Sequence, residues 1–217
     1  MMRAAVILDL DGTLVDSRTD LAASANAGRA ALGLAPLPDA AITTFVGDGA
    51  ARLIERATPE VSALSEAAAL RATALAAFRA DYDRRCTATT FPYSGIAEAL
   101  QRLVGAGWRL GVATNKPLGP TTAILAATGL DRWIGFAHGG DVIRKPDPAA
   151  ILAVLVPLDC AAAVSWMVGD HHTDLIAGSA AGCRTVYCAW GFGRRDGAAA
   201  DAVAATPAEL PEIIGRP

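Results

Sequence analysis

The chain has 217 residues, enough to bury one sizeable core or a core with an inserted domain. Apolar residues make up 53% of it but aromatics only 6%, so tight, alanine-mediated helix packing is expected rather than a few large anchors. A net charge of −3 leaves no basic footprint for nucleic acid or an anionic membrane, and no apolar stretch approaches the roughly 18 residues of a membrane span.

The first predicted element is a strand over residues 4–8, with no signal-peptide pattern ahead of it. It runs into Asp9-Leu10-Asp11-Gly12-Thr13, the stretch that organises the rest. Positions i and i+2 of a strand share a side, so Asp9 and Asp11 leave the strand end together. Two carboxylates so close repel unless a cation or a shared proton sits between them. A hard divalent ion fits, Mg²⁺ typically taking one or two carboxylates plus substrate phosphate. A lone Asp-Gly also closes many strands with no chemistry attached, so the rest of the chain has to decide.

Polarity changes at Asp16-Ser17-Arg18-Thr19-Asp20. Ser17 or Asp16 can cap a helix reaching about residue 32, with Asp20 in its first turn and Gly33 as terminator. Pro36 and Pro38 bracket a turn, and a second helix is expected to reach Val46. Gly47-Asp48-Gly49 breaks it, Asp48 capping a third helix that starts at Ala50. A fourth is predicted over residues 61–82, with Leu75, Phe78 and Tyr82 on one buried face. Residues 16–88 thus read as helices with no convincing strand.

From Ser94 onward helices and strands alternate. Helix 94–105, capped by Ser94, precedes strand 109–113; helix 118–128 ends at Gly129 before a short strand near 134–137. Helix 147–156, strand 164–168, helix 172–181 ending at Gly182 and strand 185–188 follow. A last helix opens at the capping box Thr206-Pro207-Ala208-Glu209. Alternation of this kind implies a parallel sheet with helices on both faces. The expected fold is therefore α/β: a three-layer, Rossmann-like core of residues 1–15 and 89–217, with 16–88 as an α-helical cap domain inserted after the first strand.

In open parallel sheets, ligands bind beyond the carboxyl ends of the strands. Those ends carry Asp9 and Asp11, then Thr114, Asn115 and Lys116, then Lys145 ahead of a helix, then Asp170 and Asp174. Acids for a metal, a hydroxyl, an amide and a lysine are the minimal kit for handling a phosphoryl group. Cations neutralise its charge, the hydroxyl and backbone N–H groups bind its oxygens, and one carboxylate can attack phosphorus. Cys86, Cys160, Cys183 and Cys188 show no CxxC and no metal-ligand spacing with the histidines, so they read as reduced thiols of a cytoplasmic protein.

Asp9-Leu10-Asp11-Gly12-Thr13, Thr114, Lys145 and Gly169-Asp170 with Asp174 resemble the four ordered motifs of the haloacid dehalogenase-like hydrolases. Phe45-Val46-Gly47-Asp48-Gly49-Ala50, Phe91-Pro92-Tyr93-Ser94-Gly95, Val112-Ala113-Thr114-Asn115-Lys116-Pro117 and Gly139-Gly140-Asp141 are similar to the phosphoglycolate phosphatase group within them. The resemblance implies a Mg²⁺-dependent phosphomonoester hydrolase acting on a small organic phosphate, 2-phosphoglycolate first. It makes Asp9 the nucleophile and a metal ligand, and Asp11 the general acid and then base, with its backbone carbonyl on the metal. It puts Thr114 and Lys145 on the phosphoryl oxygens, beside Asn115, with Asp170 on the metal and Asp174 supporting that shell or Lys145.

His171-His172 departs from the small hydroxyl residue more usual in that family. Adjacent histidines point apart, so neither is expected to be a ligand. In the cap, the amides after Gly49 can hold an anion, and Arg52 and Arg56 share a helix face that is either solvated or in contact with substrate. Asp141 is a sheet-end turn residue or a support for the site, and His138 is structural. A phosphatase of another sugar or amino-sugar phosphate, or a phosphomutase, would share the core motifs. A dehalogenase would not need Asp11, and a phospho-accepting signalling module would lack the helical insertion. Oligomeric state is not legible in the sequence.

Overall fold

The computed structural model describes residues 3–217 and divides into two compact units, residues 3–16 with Phe91–Pro217, and Ser17–Thr90. The first unit is built on β1 (Ala5–Leu8), β4 (Arg109–Ala113), β5 (Ile134–His138), β6 (Trp166–Gly169), β7 (Arg184–Cys188) and β8 (Ala202–Ala204). They form one sheet in the order β5-β4-β1-β6-β7-β8, parallel at every pairing. β1 lies inside it, and its four residues are all fully buried or nearly so, which is why an unbroken apolar run suits this position. Ala5 and Ile7 face a cluster with Met167, Ile151 and Val154, so α7 (Ala149–Leu155) and α8 (His172–Ala180) cover that side. A second, two-stranded pairing joins β2 (Val15–Asp16) to β3 (Phe91–Pro92) antiparallel, at the two places where the chain leaves and re-enters this unit.

Several predicted boundaries move, each for a local reason. Gly95, at φ 87°, is the residue that starts α5 (Ile96–Gly105), so Ser94 is not its cap. The strand predicted from 164 begins at Trp166, because Ala162–Val164 is a 3-10 turn and Ser165 spends its hydroxyl on the Ala5 N–H at 3.0 Å. The helix predicted from 147 begins at Ala149, whose N–H is taken by the Asp147 carboxylate at 2.9 Å. Pro207–Glu209 is a 3-10 turn ahead of α9 (Leu210–Ile214), and Glu209 receives the Ala205 N–H and the Thr206 hydroxyl rather than closing a capping box. α6 (Leu118–Thr128) ends at left-handed Gly129. β8 and the β2–β3 pair carry too few residues to leave a periodic signal.

The second unit holds α1 (Arg18–Ala30), α2 (Asp39–Thr43), α3 (Ala50–Ala57) and α4 (Ala67–Arg85). α1 and α4 approach closely, since a Cβ on Gly28 would stand 2.7 Å from the Ala74 carbonyl oxygen. Phe78 and Tyr82 are buried and stacked at 5.6 Å, whereas Leu75 is only half-buried. α2 stops at Thr43, short of Val46, because Thr44, Phe45 and Val46 donate three residues back in 3-10 fashion. α4 begins at Ala67, not 61, since Pro59–Val61 forms a separate 3-10 turn. Ser17 precedes α1 but makes no side-chain cap. Asp20 does more than favour the helix dipole. Its carboxylate accepts N–H and O–H donors from both Thr89 and Thr90 at 2.8–3.0 Å, tying the two ends of this unit together.

Candidate active site

The strand-end residues of the first unit converge, and backbone register explains how. Asp9 continues the β1–β6 ladder through its N–H on the Val168 carbonyl at 2.9 Å, so its side chain emerges on the same side as Ile7. Asp11 lies beyond, in a turn closed by Gly12 N–H on Val15 O and by Leu14 and Val15 N–H on Leu10 O. Thr114-Asn115-Lys116 follows β4, Lys145 comes from the loop after β5, and Asp170 follows β6. Asp174 stands in the first turn of α8.

Lys145 is the hub. Its ammonium is 2.7 Å from Asp9 Oδ1, 2.6 Å from Asp174 Oδ1 and 2.6 Å from the Ala113 carbonyl it donates to, with the lysine side chain 2% exposed. Burial opposes its charge, but the carboxylates of Asp174 and Asp9 more than offset that and hold its pKa above the usual lysine value. Burial also pushes Asp174 up to about 6, Lys145 opposing the rise and Asp9 adding to it. A buried pair that loses one partner strands the other charge, at a cost of about 3–5 kcal/mol. Lys145→Met is therefore expected to destabilise the metal-free protein by about that much in chemical denaturation. Adding Asp9→Asn to it should recover part of the loss, and a Lys145→Met protein as stable as the parent would contradict this account.

Asn115, expected among the phosphate-binding groups, has its side chain used at both ends. Its Nδ2 donates to the Lys145 carbonyl at 3.0 Å and its Oδ1 accepts the Lys145 N–H at 2.8 Å. It clamps the Lys145 backbone, and the hydroxyl of Thr114 remains the strand-end donor of that pair of residues. The Thr114 hydroxyl in turn accepts the Lys116 N–H at 3.2 Å. Lys116, named from the sequence only as a strand-end residue, puts its ammonium 3.0 Å from Asp11 Oδ1. The mutual repulsion of Asp9 and Asp11, which alone suggested a cation, is thus already relieved by two lysines, one per carboxylate.

The stronger case for a bound cation is Asp170. Burial raises its carboxyl well above the usual range, with Asp9 and Asp174 adding to the rise and the Gly193 N–H and the Thr13 hydroxyl opposing it. Those donors sit at 2.7 and 3.2 Å. Ligand atoms of Asp9, Asp170 and Asp174 lie within 4.8 Å of one another. Asp174 is the least available of them, since one oxygen faces Lys145 and the other accepts the His171 N–H at 3.0 Å. An all-oxygen set with unrelieved negative charge suits a hard divalent ion.

Sequence reasoning missed the loop after β7. A Cβ on Gly191 would stand 2.4 Å from Asp170 Oδ2 and 2.5 Å from the Gly12 carbonyl, so this backbone wraps the Asp170 carboxylate closely. Trp190 Nε1 donates to the Thr13 carbonyl at 3.1 Å and locks the loop to the first motif. The Gly-x-Gly of Trp190-Gly191-Phe192-Gly193, just past a strand end, was the available signal. His171 caps α8, its Nδ1 accepting the Thr173 N–H, while His172 is the first helical residue, 3.5 Å from Asp196. Asp141 accepts the Leu118 N–H at 2.8 Å and so caps α6 across the chain, and His138 Nε2 meets the Ile143 carbonyl at 3.1 Å.

Gly49, Arg52 and Arg56 lie in the helical unit. Gly49, at φ 88°, is itself the residue before α3, and Asp48 does not cap that helix but accepts from Arg56 at 2.6 Å. Arg56 also donates to the Phe45 carbonyl, and Arg52 pairs with Glu55 on an exposed face. Among the described residues, no helix is long and apolar enough to cross a membrane. All four cysteines carry free thiols.

A family model for the haloacid dehalogenase-like hydrolases matches residues 6–188. The chain is 41% identical over 209 residues to a phosphoglycolate phosphatase of Rhodospirillum rubrum, a match spanning 94% of this chain and 86% of that one. Against a phosphoglycolate phosphatase of Cereibacter sphaeroides the identity is 38% over 191 residues, spanning 86% and 85%. The crystal structure of a predicted phosphoglycolate phosphatase from Haemophilus somnus superposes with a TM-score of 0.88 over 99% of both chains, at 27% identity.

Proposed function

The chain belongs to the haloacid dehalogenase-like hydrolases, in their phosphoglycolate phosphatase-like group, and on that premise we propose that it hydrolyses 2-phosphoglycolate through an aspartyl-phosphate. The observation that carries the reading is the buried Asp9–Lys145–Asp174 chain beside Thr114, a carboxylate fixed by a cation that also attracts phosphate oxygens. Asp9 attacks phosphorus, its oxygen bonding to phosphorus as the ester P–O bond breaks. Asp11 gives its proton to the departing oxygen. Water then attacks the same phosphorus, Asp11 takes its proton, and the bond to Asp9 breaks. Splitting hydrolysis this way replaces one hard step by two easier ones. Thr114 and Lys145 hold the phosphoryl oxygens throughout, and Asn115 keeps the Lys145 backbone in place.

Asp9, Asp170 and the backbone carbonyl of Asp11 would hold Mg²⁺, with Asp174 supporting them through Lys145. Bound there, the ion neutralises charge on the phosphoryl oxygens. The substrate's carboxylate needs positive charge of its own, and Gly49, Arg52 and Arg56 of the helical unit are our candidates. The ion pairs of both arginines with neighbouring acids are partly exposed, and such pairs are weak enough to exchange for another carboxylate.

The test is phosphate release with Mg²⁺ over a panel of 2-phosphoglycolate, sugar phosphates and amino-sugar phosphates. Many turnovers and the highest kcat/KM on 2-phosphoglycolate are expected. A better amino-sugar phosphate would overturn the substrate, and a stable phosphoprotein with one turnover would point to a signalling module. Arg56→Ala should lower kcat/KM for 2-phosphoglycolate at least about tenfold, equivalent to about 1.4 kcal/mol, and by a smaller factor for p-nitrophenyl phosphate. Equal losses on both would assign the arginine to the fold of the helical unit.

A further inference from the structure

We propose that Lys116 is the residue that positions Asp11 for proton transfer to the leaving oxygen, an inference that rests on the phosphatase reading above. Lys116 Nζ stands 3.0 Å from Asp11 Oδ1, and the two side chains are only 3% and 13% exposed. The lysine is fixed at its root. Its N–H donates to Thr114 Oγ1 at 3.2 Å and its carbonyl accepts the Gly140 N–H at 2.8 Å. Gly140 can approach because it has no side chain, since a Cβ there would fall 2.6 Å from the Asn115 carbonyl oxygen. Two strand-end loops thus hold the arm that carries the ammonium, and the turn carrying Asp11 is closed by its own backbone bonds.

The other lysine of the site cannot take this task. Lys145 is already committed to Asp9 and Asp174 at 2.7 and 2.6 Å. With one lysine each, Asp9 is kept for attack on phosphorus and Asp11 for the ester oxygen, although the two leave the same strand end. A general acid works only within hydrogen-bond reach of the atom it protonates. An aspartate side chain turns about two bonds, and an ammonium 3.0 Å from Oδ1 restrains both. In the step itself, the Asp9 oxygen–phosphorus bond forms, the ester P–O bond breaks, and the proton of Asp11 passes to the ester oxygen. Asp11 is left as a carboxylate facing Lys116.

Three esters separate this role from the alternatives: 2-phosphoglycolate, ethyl phosphate and p-nitrophenyl phosphate. The quantity read is kcat/KM, which covers the steps through phosphoryl transfer and not the later attack of water. Alkoxides need the proton to leave, whereas p-nitrophenolate departs without it. Lys116→Met should lose about 10²-fold on both alkyl esters, the lower end of what general acid catalysis supplies, and clearly less on p-nitrophenyl phosphate. Lys116→Gln, which keeps an N–H donor, should fall between Met and the parent. In an Asp11→Asn background the Met substitution should add under about threefold, because residues acting as one unit are not additive.

Equal losses on all three esters would overturn the proposal in favour of a structural lysine. A loss confined to 2-phosphoglycolate would do so in favour of a lysine that receives the substrate's carboxylate, and additive effects with Asp11→Asn would do so as well. A parent protein that turns over none of the three would defeat the phosphatase reading itself, and this inference with it.

Discussion

Asp9→Asn is expected to lose turnover by about 10⁴-fold or more, the scale seen when a covalent nucleophile is removed from an otherwise intact site. The amide oxygen is a poor nucleophile and cannot form the phosphoenzyme, so both chemical steps stop rather than slow. Folding should survive. The substitution removes one buried carboxylate from the pair on Lys145, and Asp174 at 2.6 Å still compensates the ammonium. Substrate should therefore still bind, which equilibrium dialysis with 2-phosphoglycolate would read. Trapping with a fluorinated beryllium or aluminium phosphate mimic gives an independent check, since the parent should bind it and the variant should not. A variant that keeps a substantial fraction of the parent rate would remove the covalent mechanism.

Chelation is expected to abolish turnover and Mg²⁺ to restore it. The charge pattern gives the reason, because Asp170 is buried beside Asp9 and Asp174, and burial with those two carboxylates outweighs the Gly193 and Thr13 donors and holds its pKa up. Ca²⁺ should inhibit, since its larger and looser coordination shell spoils the alignment of nucleophile and leaving group. A second readout needs no turnover. Saturating Mg²⁺ should raise the unfolding free energy of the parent by about 2.7 kcal/mol at a hundred times its Kd, and Asp170→Asn should erase that shift. Undiminished activity in chelator would sink the assignment. A requirement for zinc instead would bring back His171 and His172, although the Nδ1 of His171 is already the acceptor for the Thr173 N–H.

How much of the site was legible differs residue by residue. Asp9 and Asp170 could be singled out because each lies where an apolar run ends, Asp174 because it follows in the next helix turn, and the carboxyl ends of parallel strands gather on one edge. Thr114 was singled out by the same rule, and Lys145 as the lysine ahead of the next helix. Asn115 was expected on the phosphate and its side chain bonds the Lys145 backbone, since a side-chain amide carries no sign in the sequence of which neighbour it meets. Asp48 was misread as a helix cap because Arg56, one helical turn beyond Arg52, takes its carboxylate instead.

Lys116 was placed at a strand end but given no partner. Nothing in Thr114-Asn115-Lys116-Pro117 says that the lysine meets a residue over a hundred positions earlier. The glycines at 191 and 193 escaped for a similar reason, their partner Asp170 lying past the end of the neighbouring strand.

The sequence by itself determined the alternation of strands and helices and the set of acids at the strand ends. These are written in short-range patterns of apolarity, turn residues and spacing, which act within one element. Only the tertiary structure decided which lysine serves which aspartate, that Asn115 clamps a backbone, and that a glycine loop wraps Asp170. Those depend on strand order and register, which place residues from distant segments a few ångströms apart in a buried space where every charge must meet its partner.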